Sequence, residues 1–161
     1  MPIIITNRQR SLRINTPALR KLAACLYALA SAAAKKKKGM PEFETIEIVL
    51  CGDAEISRVH AAVFNDGATT DVITISYTAT PVSGATAEIF VNTRIARDTA
   101  PENEFPIARE LALYIAHGFD HLAGHTDLLP SARKSMRRRE LAWLDACEKQ
   151  GISDILYSSL I

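Results

Sequence analysis

His117 and His121 are the side chains whose type and spacing most directly indicate chemistry in this sequence. They lie in a stretch from Pro106 to about Ala123 whose apolar residues recur at helical spacing. Two residues four positions apart on a helix lie one above the other on the same face. Their imidazole groups could therefore bind one metal ion, although paired helical histidines also occur as ordinary surface or core residues.

Gly124 marks the expected end of this helix, since glycine adopts the left-handed conformation that terminates helices at low steric cost. The chain can then turn back, so that Asp127 could supply a third ligand. Three protein ligands leave one coordination position open for water, which is typical of a catalytic metal site. Zinc, at one ion per chain, is the first expectation for these ligands, and nickel, manganese and iron remain open.

His125 competes for the same role, because three of the four histidines fall within the segment 117–125. On a straight helix it would lie about 12 Å from His117 along the axis, so the two could not share one ion. If the helix ends at the glycine, His125 leaves the helical register. We therefore predict His117, His121 and Asp127 as metal ligands, with His125 in the substrate cleft.

The pattern of the remaining chain predicts the elements that position this helix. The segment 93–105 is expected to be a connection, the strand at 87–92 an edge strand, and Thr16 an N-cap. The order β-α-β-α-β-β-α-α predicts an α+β (α/β-like) fold with one mixed sheet of about four strands, mostly parallel with one antiparallel edge strand. The expected strands are 3–6, 45–51, 70–77 and 87–92, and the expected helices are 17–34, 54–64, 106–123 and 130–149.

Composition favours an ordinary globular protein with a single domain, 1–161, because 48% of its 161 residues are hydrophobic and 23% are charged. No apolar run is long enough to span a membrane, and the segment 1–6 lacks the features of a secretory signal. Cys25, Cys51 and Cys147 are odd in number and far apart. We therefore expect core cysteines and a cytoplasmic location.

Basic residues form two blocks, although the net charge is only +1. Either block could contact phosphate groups, and either could equally be a solvated helix face. Lysines at the end of a helix would also complement its dipole. The candidate phosphate contacts are Lys35, Lys36, Lys37, Lys38, Arg133, Lys134, Arg137 and Arg138.

The segment 117–127 resembles the metal signature of the YbeY family, which has the form His-Gly-x-x-His-Leu-x-Gly-x-x-His. Both of the first histidines, both glycines and the leucine are in register. Thr70-Asp71-Val72 is similar to the family's Thr-Asp-Val at the head of a strand, and the segment 88–92 is similar to its following strand. Further similarities, between about Ile46 and Leu144, include Met136 and Glu140 of the last helix.

The resemblance implies a metal-dependent endoribonuclease that acts on single-stranded RNA in ribosomal RNA maturation and ribosome quality control. Ribosomal RNA and the small ribosomal subunit are the implied partners, and neither DNA nor a membrane is expected. Asp71 would help to shape the substrate cleft, and a role in capping the strand or in a turn is an equal alternative. Glu110, about two helical turns before His117, could accept a hydrogen bond from a metal ligand, although a solvated or core-edge position is the favoured alternative.

Three positions depart from the family pattern. Asp127 stands where most members have histidine, and it is a competent zinc ligand. Asp120 replaces a usual leucine, and Phe64 replaces an arginine that the family uses in catalysis or RNA backbone binding. The substitution at Phe64 keeps two alternatives open: a non-catalytic ribosome-associated RNA- or protein-binding factor with a structural metal, or a zincin-like metallohydrolase of another substrate class.

The same histidine spacing occurs in metzincin-type proteases, where a glutamate beside the first histidine acts as the general base. Here that residue is Gly118, which cannot transfer a proton, so ordinary peptide hydrolysis is disfavoured. Asp120 is the nearest carboxylate and is the candidate substitute for this catalytic role, although a solvated position or a hydrogen bond to a metal ligand is the favoured alternative.

Overall fold

Four strands form one open sheet: β1 (Ile3–Asn7), β2 (Phe43–Cys51), β3 (Val72–Tyr77) and β4 (Ala85–Asn92). Their order across the sheet is β1-β2-β4-β3. The β1–β2 and β2–β4 pairs are parallel, whereas β3 pairs with β4 antiparallel. This computed structural model, which describes residues 2–34 and 39–158, confirms the predicted α+β fold and its single antiparallel edge strand.

Five helices surround the sheet in the described part of the chain: α1 (Thr16–Ala33), α2 (Asp53–Phe64), α3 (Thr93–Thr99), α4 (Ile107–Leu122) and α5 (Pro130–Lys149). The predicted connection at 93–105 was wrong in its first part, because α3 begins there. The Asn92 side chain caps this short helix by accepting hydrogen bonds from the N–H groups of Arg94 and Ile95. Seven residues are too few for a helical period to be recognised from the sequence.

The strand expected at an edge of the sheet is instead an inner strand. β4 lies between β2 and β3, and Ile89 and Val91 are fully buried. The polar residues Thr86 and Glu88 resemble the solvent face of an edge strand, but they lie in the first half of β4. The edge is formed by β3, whose antiparallel pairing with β4 leaves its other side open.

The start of α1 differs by one residue from the prediction. The side chain of Asn15, not that of Thr16, accepts the capping hydrogen bond, from the N–H of Ala18 at 3.3 Å. Both residue types are good N-caps, so sequence preference alone does not separate them.

The alternation of side chains along the strands divides the core between the two faces of the sheet. On one face, Ile48, Leu50 and Ile89 belong to the main cluster, to which α1, α4 and α5 contribute. On the other face, Val49 and Phe90 pack with Ile56 of α2. The predicted core residues of α5 are confirmed as buried: Met136, Trp143, Leu144 and Cys147.

Gly118 allows α4 to lie close against the sheet. A Cβ atom at this position would be only 2.5 Å from Cγ2 of Ile89 in β4. A larger residue would therefore push α4, and the histidines on it, away from the sheet. In the described part of the chain, no helix combines the length and the apolar character needed to cross a membrane.

Candidate metal centre

His117, His121 and Asp127 are brought together at the C-terminal end of α4 and the loop that follows it. The two Nε2 atoms of the histidines are 3.0 Å apart. Oδ2 of Asp127 is 3.5 Å from Nε2 of His117 and 3.9 Å from Nε2 of His121. Among the described residues, these three are the group of possible ligand atoms that lie mutually within 4.8 Å.

These separations fit a divalent metal ion. Ligand atoms at about 2.0–2.1 Å from a tetrahedral zinc ion are about 3.3 Å from one another, close to the observed spacing. All three side chains are partly exposed, at 24%, 29% and 39%. The group therefore offers two nitrogens and one carboxylate oxygen and leaves the solvent side free for a water or a substrate oxygen.

Glu140 of α5 orients His117. Its Oε1 lies 2.8 Å from Nδ1 of His117, and its side chain is only 3% exposed. A carboxylate accepts, so Nδ1–H of His117 donates this bond and Nε2 keeps its lone pair for a metal. The buried carboxylate therefore selects the tautomer that metal binding requires.

The hydrogen bond to His117 that was considered for Glu110 is made by Glu140, and Glu110 occupies the alternative position, inside the protein at the start of α4. Glu110 is 1% exposed and accepts hydrogen bonds from Nδ2 of Asn103 at 3.0 and 3.1 Å. It ties the turn before α4 to the helix. The spacing in the sequence suggested that Glu110 lies near His117, but its carboxylate is hydrogen-bonded to Asn103.

Glu140 also changes the acid–base behaviour of His117. Burial by itself lowers the pKa of the imidazole, but the hydrogen bond and the negative charge of Glu140 outweigh burial. Asp71 and Asp127 add smaller contributions in the same direction, so the pKa of His117 is raised above its ordinary value. In the metal-free protein, a proton therefore competes for this site at higher pH than for an ordinary histidine.

The loop after α4 positions His121 and Asp127. Gly124 has a φ of 93°, in the left-handed region that favours glycine, and the helix ends there as predicted. Nδ1–H of His121 donates to the backbone carbonyl of His125 at 3.1 Å. The turn therefore selects the tautomer of the second histidine, again leaving Nε2 for the metal.

Asp120 forms the anchor of this loop. It is fully buried and accepts two hydrogen bonds from Arg139 of α5, at 2.9 and 3.0 Å. It also accepts a 2.8 Å bond from Nδ1 of His125. Neither Asp120 nor His125 lines the cavities beside His117 and Asp127, so the catalytic role of Asp120 and the cleft position of His125 stay predictions that the cavity lining does not support. Nδ1 of His125 is engaged with Asp120.

Asp71 lines two cavities that meet at the metal centre. The first, of about 260 Å³, is bordered by Arg133, Arg137 and Met136 of α5. The second, of about 410 Å³, is bordered by α2, β3 and the end of α4. Both cavities share Asp71 with the candidate ligands His117 and Asp127. The cleft is thus open on two sides of the candidate ion.

The structure describes only the second of the two basic blocks. Lys35, Lys36, Lys37 and Lys38 lie outside the described residues. Arg133 and Arg137 border the cavity that contains His117 and Asp127, whereas Lys134 and Arg138 border a shallow surface depression together with Leu141. Within the second block, two of the four predicted contacts therefore face the metal cleft.

Sequence reasoning missed the roles of Glu140 and Arg139. A signal was present, because Glu140 interrupts the apolar stripe of α5, four residues after Met136 and four before Leu144. A charged residue on a buried helical face needs a partner. His117 of α4 is the partner of Glu140, and Asp120 of α4 is the partner of the neighbouring Arg139.

We expect Glu140→Gln to weaken metal binding by about 10- to 100-fold, which is typical when the outer partner of a ligand histidine is lost. The variant also loses the charge that raises the pKa of His117. The pH below which metal affinity falls should therefore move downward, as measured by metal titration between about pH 5 and 8. The exposed Glu102→Gln change is the control and should alter neither quantity. An unchanged pH profile in Glu140→Gln would contradict the assignment.

Known proteins provide an independent comparison. The family model described as "Endoribonuclease YbeY" matches residues 4–148. A protein of Rhodopirellula baltica named Endoribonuclease YbeY is 34% identical over 100 residues, which are 61% of this chain and 51% of that protein. A Phocaeicola vulgatus protein of the same name is 32% identical over 96 residues, covering 59% of this chain and 67% of that protein. The match thus spans about half the length of the first relative.

A solved structure shares the fold. The solution structure of a Thermotoga maritima protein aligns with 93% of this chain and 91% of its own length, with a TM-score of 0.59 and 20% sequence identity. At this identity the likeness concerns the fold alone. The family match, by contrast, includes every element from β1 to α5 and the whole metal-ligand segment. The chain therefore belongs to the YbeY family.

Proposed function

We propose that this chain is a cytoplasmic, metal-dependent endoribonuclease that cuts single-stranded RNA, with ribosomal RNA as its substrate during maturation and quality control of the small ribosomal subunit. The observation that carries the proposal is the open group of His117, His121 and Asp127 in a member of this family. The curated relatives named above are endoribonucleases by name. Zinc is the metal that the ligand set favours.

The shape of the cleft supports cleavage within a strand. Two cavities meet at His117 and Asp127, so a chain can enter through one and leave through the other. A pocket closed on one side would instead favour removal of terminal nucleotides. A flexible single strand fits this arrangement better than a duplex, because its scissile phosphate must reach the ion at the junction.

The residues of the chain divide the chemical work. When bound, a divalent metal ion supplies a Lewis acid for the phosphodiester and for the attacking water. His117, His121 and Asp127 would hold it, and Glu140 keeps the first histidine in the binding tautomer. The described residues that line the two cavities include three carboxylates. Asp127 is a candidate metal ligand and Glu140 is buried against His117, which leaves Asp71 available to the substrate.

Asp71 is therefore the proposed proton acceptor at this site. Its Oδ1 accepts a 2.8 Å hydrogen bond from the N–H of Val72, which holds the side chain at the head of β3. We expect Asp71→Asn to lower the cleavage rate by about 10²- to 10⁴-fold, the usual range for a lost general base. Metal content should remain unchanged. A variant that loses the metal together with activity would contradict this role.

Arg133 and Arg137 are the cations available to a phosphate next to the ion. We expect Arg137→Ala to reduce the slope of log affinity against log salt by about 0.7, the value for one lost phosphate contact on a single strand. Arg138→Ala is the matched control, because Arg138 precedes Glu140 on the same helix but does not border the metal cavity. Equal effects of the two changes on RNA binding would place the phosphate elsewhere.

Cleavage of a labelled single-stranded RNA by the metal-loaded protein tests the function. We expect internal cuts, loss of cutting with a chelator and recovery on adding zinc, with less cutting of a duplex. Intact RNA at full metal occupancy would overturn the proposal.

The exposed Phe64, in place of the family's arginine, favours the ribosome-associated binding factor as second candidate. That candidate predicts co-sedimentation with ribosomal subunits without cleavage, and a gain of cleavage in Phe64→Arg.

A further inference from the structure

Phe64 places a large aromatic side chain in solvent beside the metal centre. It is 57% exposed at the last residue of α2, and it borders the cavity of about 410 Å³ that also contains His117, His121 and Asp127. A single exposed apolar residue on a convex surface needs no explanation. An exposed aromatic ring in a cavity that shares the metal ligands, however, is typical of a binding site.

The ring of Phe64 is supported from behind. His60 lies one helical turn earlier, with its ring centroid 5.1 Å from that of Phe64 and an interplanar angle of 50°. His60 is half-buried, so it limits the positions available to the phenylalanine ring. One face of Phe64 is thereby held in place, while much of its surface remains accessible to a ligand.

The same cavity contains polar atoms whose partners are missing. Nδ1 of His60 and Oγ1 of Thr74 are the buried side-chain atoms that lack a hydrogen-bond partner within residues 2–34 and 39–158. Both residues border this cavity. Buried polar atoms are nearly always paired, so a ligand in this cavity that reached these two atoms would satisfy groups that the described residues leave unpaired.

We propose that this cavity is a nucleobase-binding site, in which a base adjoining the scissile phosphate stacks on Phe64. The proposal deepens the RNA-cleaving function proposed above and rests on it for the class of ligand. A nucleobase combines a flat apolar face with polar edges, which matches an aromatic platform beside His60 and Thr74. The volume of the cavity lies within the range usual for small-ligand sites.

A nucleotide satisfies the neighbouring groups better than an aromatic peptide side chain. The cavity adjoins the proposed metal site, and Arg133 and Arg137 border the adjacent cavity. A phosphate at the metal would therefore place its attached base within reach of Phe64. Position 64 then contributes to recognition through stacking rather than through charge, which is the consequence of an aromatic residue replacing arginine.

Binding of nucleoside 5′-monophosphates to the metal-loaded protein tests the site without any cleavage, because these ligands contain no internucleotide bond. Ribose 5-phosphate is the matched ligand that lacks a base. We expect at least one of the adenosine, cytidine, guanosine and uridine monophosphates to bind about five- to 150-fold more tightly than ribose 5-phosphate to the unsubstituted protein. In Phe64→Ala, the ratio of the monophosphate's affinity to that of ribose 5-phosphate should fall to less than about two. Phe64→Tyr and Phe64→Trp should retain the ratio of the unsubstituted protein.

Val63→Ala is the control, because Val63 is 45% exposed on the same helix but does not border the cavity. It should leave the ratio unchanged. The site is overturned if Phe64→Ala keeps the full ratio, if Val63→Ala loses it equally, or if no base improves binding over ribose 5-phosphate. Thr74→Val should change the ranking of the four bases. Base-dependent binding without RNA cleavage would support this site and reject the nuclease function. RNA cleavage without base-dependent binding would support the nuclease function and reject this site.

Discussion

Replacing His117 by alanine should remove the metal and, with it, RNA cleavage. His117 supplies one of three ligand atoms, and the remaining pair, Nε2 of His121 and Oδ2 of Asp127, lie 3.9 Å apart without a third partner. The loss should exceed the ~10- to 100-fold weakening expected when an outer partner is removed. Elemental analysis should show about one zinc per chain in the unsubstituted protein and less than about a tenth of that in His117→Ala.

Asp127→Ala and His125→Ala form the decisive pair for the ligand set. Asp127→Ala removes the carboxylate ligand, so its metal content should fall as well. His125→Ala should retain the metal, because the backbone carbonyl that contacts His121 stays in place, although loss of the bond to Asp120 should lower the affinity. If His125→Ala loses the metal while Asp127→Ala keeps it, the assignment of the third ligand is wrong. Circular dichroism should show that each variant is folded.

Substitution of Asp120 by asparagine should destabilise the protein by about 3 kcal/mol, the lower end of the cost of breaking a buried ion pair. Asp120 is fully buried, and Arg139, with 24% of its side chain exposed, loses its carboxylate partner. For a chain of this length, such a loss lowers the midpoint of thermal unfolding by about 6–12 °C. Calorimetry or thermal circular dichroism measures the change directly.

A double variant separates stability from positioning at this ion pair. Asp120→Leu combined with Arg139→Met replaces the charges by apolar groups, which often restores the stability lost on breaking a buried pair. Metal affinity should remain below that of the unsubstituted protein, because His125 no longer has its 2.8 Å bond to Asp120 and the ligand loop is less constrained. Recovery of both stability and metal affinity would show that Asp120 serves packing alone.

The sequence predicted most of the fold because its patterns are local. Alternating and helical periods predicted the four strands and four helices, α1, α2, α4 and α5. The assignment of β4 to an edge failed for a physical reason. The neighbours of a strand depend on pairings such as Val72 with Val91, which join distant segments and leave no local period. The spacing of the histidines and the glycine predicted the candidate ligands, and in the structure these three side chains lie together.

What the sequence by itself determined is the arrangement carried by α4 and its end. A four-residue spacing on a helix places His117 and His121 on one face, and a glycine with positive φ turns the chain back towards Asp127. Only the tertiary structure decided which charged side chains hold the candidate ligands and their loop in position. Glu140 and Arg139 lie about twenty residues away on α5, and their roles depend on how α5 packs against α4. Likewise, only the packing of α2, β3 and α4 brings Phe64 to the metal centre.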